Sequence, residues 1–309
     1  RTTKTTAIDD HINAVLAHPL VNLPAIKAAS FSAVVDGVNS VGGIAIPALL
    51  DALGVHCTKL YCDPTGHFPH NPEPLKEHLG DLSQEVIRAK ADLGIVVDPD
   101  VDRLAFMDEK GEMFGEEYTL VACADYVLSK TPGNTVSNLS STRALRDVTE
   151  AAGGEYFASA VGEVNVVAQM KAKKAVIGGE GNGGIIDPNL HYGRDALVGV
   201  ALFLSLLAER KCTVSVLKAG YPVYFMSKGK IELSPTMDVD GLLRKMETRY
   251  ANDKPLTIDG VKIDFPEGWV HMRKSNTEPI IRVYAEAKTQ AAADEITQRF
   301  STELLQEAN

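Results

Sequence analysis

Three aspartates at alternate positions, Asp98, Asp100 and Asp102, follow the short apolar run Leu93 to Val97, and Arg103 comes directly after them. Carboxylates packed roughly 4–5 Å apart repel by about 1–4 kcal/mol per pair. A hard divalent cation with oxygen ligands offsets that cost, and Mg²⁺ commonly keeps positions open for water or phosphate oxygens. The competing reading is a solvated acidic turn. An EF-hand fits less well. Glu109 falls at the twelfth position of such a loop, but Arg103 stands where the loop needs glycine, and the flanks read as strands.

Two more polar stretches have a chemistry of their own. In GGEGNGG, residues 178–184, glycines bring the backbone close to a ligand. Glu180 and Asn182, set among Gly181 and Gly183, can exchange hydrogen bonds with sugar hydroxyls. Taken alone, the stretch reads more readily as a flexible turn ahead of GIIDPNLHYGRDA, where Asp195 caps a long helix. In RKSNTEP, Arg273 offers a planar fork suited to phosphate. Ser275, Asn276 and Thr277 add donors in a turn of the kind that forms anion-binding concavities. Arg282 lies on the following strand and can assist. The alternative is a polar hairpin loop. Two other stretches point away from ligands. DGVNSVGG lacks the GK[ST] ending of a nucleotide loop and serves a strand-to-helix turn. His67 and His70 in GHFPHNPEP read as proline-fixed loop packing rather than metal ligands.

The elements that must position these loops alternate. Strands are expected at FSAVVD, VHCTKLYC and LGIVV, with helices between them, among them LKEHLGDLSQEVIRAK. The same order returns with NTVSNL, the helix SSTRALRDVTEAAG, EYFASAV, VNVVAQMKAKK and KAVIGG. Ser140 and Ser141 are expected to cap the first helix of this second set. Such alternation predicts two related α/β domains with mixed, mainly parallel sheets. Their functional loops leave the carboxyl ends of equivalent strands, where sites form, and so can face one cleft. From about Tyr221 the texture changes to a C-terminal α+β domain with an antiparallel sheet. The expected domains are 1–113, 114–219 and 220–309, the last joined near Lys218–Pro222 by a segment containing Gly220 that would let it close as a lid.

Composition narrows the class. The 309 residues are 45% hydrophobic and 23% charged, with a net charge of −10. No basic stripe stands out, which argues against nucleic acid as a partner. The run ALVGVALFLSLLA is shorter than the roughly 18 residues a membrane span needs, and no signal peptide opens the chain. Cys57, Cys62, Cys123 and Cys212 form no CxxC pair and read as reduced thiols of a cytoplasmic protein.

With its three loops in this order and spacing, the chain resembles the α-D-phosphohexomutases, a family that includes phosphoglucomutase, phosphomannomutase and phosphoglucosamine mutase. DPDVDR is similar to the family's metal loop, usually DGDGDR. GGEGNGG is similar to its sugar loop, often GEMSGH or GEQSGH. RKSNTEP matches its phosphate loop, RxSNTEP. Pro99 and Val101 replace the usual glycines, and Asn182 replaces the sugar-loop serine. The family's first domain carries a phosphoserine in a Ser-His-Asn-Pro type loop. Here His70 to Pro72 spell HisAsnPro, but Pro69 precedes them, so the chain resembles domains two, three and four without the first.

The resemblance implies an isomerase that moves phosphate between the 1- and 6-positions of a hexose (glucose, mannose or glucosamine) through a phosphoserine and a 1,6-bisphosphate. It implies Mg²⁺ held by Asp98, Asp100 and Asp102, with Arg103 catalytic beside it. Glu180, Gly181, Asn182 and Gly183 would bind sugar. Arg273, Ser275, Asn276, Thr277 and Arg282 would bind phosphate. The implied partners are a hexose phosphate and the protein's own N-terminal domain, without which the chain should be inactive. The other readings are a non-catalytic sugar-phosphate-binding module and a Mg²⁺-dependent sugar phosphatase.

Overall fold

The computed structural model describes residues 5–233, 238–275 and 278–308. Two helices, α1 (Ala7–Leu16) and α2 (Leu23–Ala29), precede β1 (Ser32–Asp36), α3 (Gly42–Leu53), β2 (His56–Leu60), α4 (Gly80–Ala89), β3 (Leu93–Val97) and β4 (Leu104–Met107). The second set is α5 (Glu116–Lys130), β5 (Thr135–Asn138), α6 (Ala144–Ala151), β6 (Tyr156–Ser159), α7 (Glu163–Lys173), β7 (Ile177–Glu180), β8 (Gly184–Ile186), α8 (Ala196–Arg210) and α9 (Val214–Ala219). The third is β9 (Phe225–Glu232), α10 (Val239–Arg249), β10 (Val261–Asp264), β11 (Gly268–Lys274), β12 (Ile280–Ala287) and α11 (Gln290–Ala308).

The first two sheets share one topology. Their strand orders are β2-β1-β3-β4 and β6-β5-β7-β8. In each, three parallel strands end in an antiparallel return strand, β4 against β3 and β8 against β7. The repeat read from element order is therefore real, and each hairpin turn is one of the polar loops. The third sheet, β10-β11-β12-β9, is wholly antiparallel.

One apolar core runs through the first two sets. Leu49 and Leu50 of α3, Phe106 of β4, Cys123 of α5 and Phe203 of α8 belong to it, all essentially buried, and the Phe106 and Phe203 rings stack at 3.8 Å. The run at 196–208 is buried along α8, which Asp195 caps by accepting from Leu197 N (2.8 Å) and Val198 N (3.2 Å). The third set closes on its own core, with Met246, Met272, Ile281 and Phe300 at its centre. No helix among the described residues is long and apolar enough to cross a membrane.

Three local expectations need correction. The helix expected over LKEHLGDLSQEVIRAK begins only at Gly80, after a short 3₁₀ turn at Lys76–His78. Neither Ser140 nor Ser141 caps α6: Ser140 Oγ bonds His271 Nδ1 (2.9 Å), and Ser141 Oγ accepts from Gly181 N (3.0 Å). Cross-connections to other elements outcompete the local cap. His70 is not merely packed, since its Nε2 bonds Asp36 Oδ2 at 2.9 Å and fastens the 61–75 loop to the end of β1. The glycines of DGVNSVGG do serve a tight strand-to-helix turn: a Cβ on Gly43 would lie 2.5 Å from Cys62 Cα.

Candidate functional site

The acidic loop is the turn between β3 and β4. Asp98 is buried at the end of β3, and its Oδ1 accepts from Asp102 N and Arg103 N, both at 3.0 Å. These bonds fold the loop so that one carboxylate oxygen each from Asp98, Asp100 and Asp102 lies within 4.8 Å of the others. Burial first, and then the Asp102 and Asp100 charges, push the Asp98 carboxyl up to about 7 against the opposing Arg103 backbone N–H. Asp102 Oδ1 is buried with no hydrogen-bond partner. A mutually repelling, oxygen-only set with an unsatisfied anionic oxygen fits a hard cation. Arg103 sits alongside, its Nε 3.5 Å from Asp98 Oδ2 and its Nη1 3.2 Å from Glu73 Oε1. Val101, standing where the resembled motif has glycine, holds a left-handed φ of 62°.

The glycine-rich loop is the equivalent turn between β7 and β8. Glu180 is buried and bonded through both oxygens: Oε1 accepts from Asn138 Nδ2 (2.8 Å) and Gly162 N (3.1 Å), and Oε2 meets Arg194 Nη1 (2.8 Å), which leaves Oε2 a lone pair. Asn182 Oδ1 accepts from Gly184 N at 3.2 Å. Gly183 has φ 88°, and a Cβ there would lie 2.2 Å from the Leu104 carbonyl oxygen. Its own carbonyl accepts from Leu104 N at 3.0 Å, so the glycine loop is stitched directly onto β4 behind the acidic loop.

Arg194 is the residue that sequence reading missed. Its guanidinium pairs with Asp102 through Nη2, with Glu163 through Nε (3.0 Å) and with Glu180 through Nη1 (2.8 Å). It thereby fixes the acidic loop against the glycine loop. The only local signal was an arginine immediately before the capping Asp195, and nothing in the spacing told where that arginine points.

The third loop leaves β11. Arg273 and Arg282 are direct cross-strand partners. Like charges in that relation are destabilising. Arg273 Nε is buried without a hydrogen-bond partner. Arg282 bonds Tyr284 Oη (2.9 Å) and pairs with Glu278 (2.6 Å). An anion beside the two forks would offset their repulsion. Ser275 is buried, with its N bonded to Ile280 O at 2.9 Å. Asn276 and Thr277 lie outside the described residues.

One cleft of about 330 Å³ is lined by Arg103 at the edge of the acidic loop, by Glu180, Gly181 and Asn182, and by Arg273 and Arg282, whereas Asp98, Asp100, Asp102 and Ser275 do not line it. Gly183 supports the cleft from behind. Glu117, Ser140 and Lys228 are further wall residues. Burial pushes the Glu117 carboxyl well above its ordinary range, and its Oε2 accepts from Thr142 N at 2.9 Å. His271 is buried and pushed down to about 3 by desolvation, which keeps it neutral. Its Nε2–H then donates to Asp259 O (2.7 Å), leaving Nδ1 to accept the Ser140 hydroxyl.

Three family models match the chain in order: phosphoglucomutase/phosphomannomutase alpha/beta/alpha domain II over residues 9–111, alpha/beta/alpha domain III over 115–224, and the C-terminal domain over 230–303. The chain belongs to the phosphoglucomutase/phosphomannomutase family. It is 33% identical over 299 residues to a probable phosphoglucosamine mutase of Methanopyrus kandleri, covering 96% of this chain and 65% of that protein. It is 34% identical over 293 residues to a phosphoglucomutase/phosphomannomutase of Thermococcus kodakarensis, covering 93% and 63%. A crystal structure of a phosphoglucomutase/phosphomannomutase family protein from Burkholderia thailandensis superimposes with TM-score 0.81 at 28% identity, covering 96% of this chain and 64% of that one. The chain thus spans a little under two thirds of these family members.

Proposed function

We propose that the chain is the metal-, sugar- and phosphate-binding part of a phosphohexomutase. The reaction is interconversion of a hexose 1-phosphate and 6-phosphate, of glucose, mannose or glucosamine, through a 1,6-bisphosphate. The phosphoserine that donates and recovers the phosphoryl group belongs to a domain outside these 309 residues. The observation that supports this most is one cleft that joins Arg103, beside the acidic loop, to residues of the glycine-rich loop and to Arg273 and Arg282.

In this reading Asp98, Asp100 and Asp102 hold Mg²⁺, which supplies charge neutralisation at the phosphoryl group in transfer. Arg103 stabilises the same group from the loop's rim. Glu180 and Asn182 address sugar hydroxyls, with Gly181 admitting the ring to the backbone and Gly183 serving the sugar loop by fastening it to β4. Arg273, Ser275, Asn276, Thr277 and Arg282 grip whichever phosphate is not reacting. Two anchors flanking one reacting centre suit a mutase, because binding energy at the remote end positions the other. The units are taken as 1–113, 114–219 and 220–309, each contributing one loop.

Sugar-phosphate affinity of the intact enzyme, compared for wild type, Arg273→Lys and Arg273→Ala, tests the reading. Lysine keeps charge but loses the planar fork, so loss should be intermediate for lysine and largest for alanine. Equal affinity in all three would remove the phosphate anchor. The isolated chain should show no mutase turnover, since the phosphoryl carrier lies elsewhere.

A further inference from the structure

A second cluster of ligating side chains lies away from the cleft, where α1 meets the loop leading into α8. His11 Nε2 is 2.7 Å and His191 Nε2 is 3.0 Å from the same atom, Asp195 Oδ2. The other oxygen, Asp195 Oδ1, is committed to the N-terminus of α8, so the carboxylate cannot rotate away and Oδ2 is presented to the two imidazoles. The three donor atoms lie within 4.8 Å of one another. Asp195 is buried, whereas the imidazoles are 34% and 43% exposed, which leaves an approach from solvent. Beneath this group, His18 Nδ1 accepts from Leu20 N (3.2 Å), and His18 Nε2 lies 3.3 Å from Asp187 Oδ2 in a buried contact that lacks hydrogen-bond geometry. That contact places the exit of α1 beside the same loop.

We propose that His11, His191 and Asp195 form a binding site for a zinc-class divalent ion. Two imidazole nitrogens and one carboxylate oxygen are the donor set of such ions, with bond lengths of about 2.0–2.2 Å and remaining positions filled by water. A tetrahedral ion of that size wants its ligand atoms about 3.3 Å apart, so the site is reached by sub-ångström separation of the two imidazoles from Asp195. The Leu197 and Val198 N–H groups that hold Asp195 Oδ1 supply the outer support that a ligating carboxylate needs. The ion joins α1 to the loop that carries Arg194, one residue before Asp195, and so stiffens the segment that holds Arg194 against Asp102 and Glu180. It is distinct from the acidic loop, whose three oxygen donors suit Mg²⁺ and carry no nitrogen. The inference does not depend on the sugar-phosphate reading.

The test is a Co²⁺ titration of the full-length protein in excess Mg²⁺, which occupies the oxygen-only loop. Wild type should bind one equivalent with a visible d–d absorption band, and Zn²⁺ should bleach it. His11→Gln and His191→Gln should lose the band and weaken binding at least about tenfold. Asp195→Asn keeps a good helix cap while removing the anionic ligand, so it should weaken binding with its circular dichroism unchanged. A wild type with no band, or histidine variants that bind Co²⁺ as tightly as wild type, would overturn the site.

Discussion

Arg194 gathers carboxylates from three separate segments, Asp102, Glu163 and Glu180, while only 14% of its side chain is exposed. Removing one partner of a part-buried ionic cluster leaves hydrogen-bonding groups unsatisfied, at a cost of about 1–3 kcal/mol. Arg194→Ala should lower the urea midpoint accordingly, and Arg194→Lys should fall between, because an ammonium cannot serve three directions from one plane. A variant with the wild-type midpoint would show that the cluster is not structural. This residue also marks where sequence reading ends. The aspartates and Arg273 were legible because their chemistry is local: three carboxylates on one turn, or a fork beside a polar turn. Arg194 acts across 92 residues, on Asp102, and Ser140 across 131, on His271. Only the folded chain discloses such partnerships, and for Ser140 the local rule pointed to a cap that does not exist.

At the scale of elements, alternation of period and composition identified both α/β repeats and the antiparallel third sheet. It was blind to α5, which buries nine of its fifteen residues and so lacks a polar face to reveal its period. The hairpin turns depend on glycine where backbone crowds backbone. Gly183→Ala would drive a Cβ into the Leu104 carbonyl at a left-handed φ, and should cost about 1–3 kcal/mol in chemical denaturation. The 61–75 loop, which brings Glu73 to Arg103, is held by His70 on Asp36. That hydrogen bond, ahead of opposing desolvation, raises the His70 pKa. A raised folded-state pKa means the contribution is complete below the unfolded value, about 6.5, and is lost as pH rises through the folded one. The stability difference between wild type and His70→Phe should therefore shrink from about pH 6 to about pH 8. A difference independent of pH would show that the imidazolium is not the form that binds.

For the whole molecule, the third set of elements is docked rather than fused. Arg143 Nη2 donates to Asp264 (2.7 Å) and to the carbonyls of Phe265 and Gly268 (both 2.9 Å), and Lys262 Nζ donates to Leu139 O (2.7 Å). At the joint, the Tyr118 hydroxyl donates to Pro222 O (2.7 Å) and accepts from Tyr224 N (2.9 Å). A closing domain needs contacts of this kind, polar and breakable, across its interface. A charged hydrogen bond contributes about 1.5–3 kcal/mol, so losing even one of these in Arg143→Ala should favour undocking by at least about tenfold. Small-angle scattering should then report a larger radius of gyration. An unchanged radius would mean that the docking rests on the other contacts alone.

The helices α1 and α2 bury Ile12, Val15 and Ile26 in the core shared with α8, and Asn22 reaches Ser205 (3.0 Å) and Glu209 (2.8 Å) on that helix. A ribosome adds about 5–20 residues per second. The last residue of α2 thus precedes the last residue of α8 by about 10–40 s of synthesis. Through that interval the nascent first sheet can pair its strands and the two helices can meet α3, but the face that α8 provides is still missing. The burial of α1 and α2 is therefore completed only once α8 has been made.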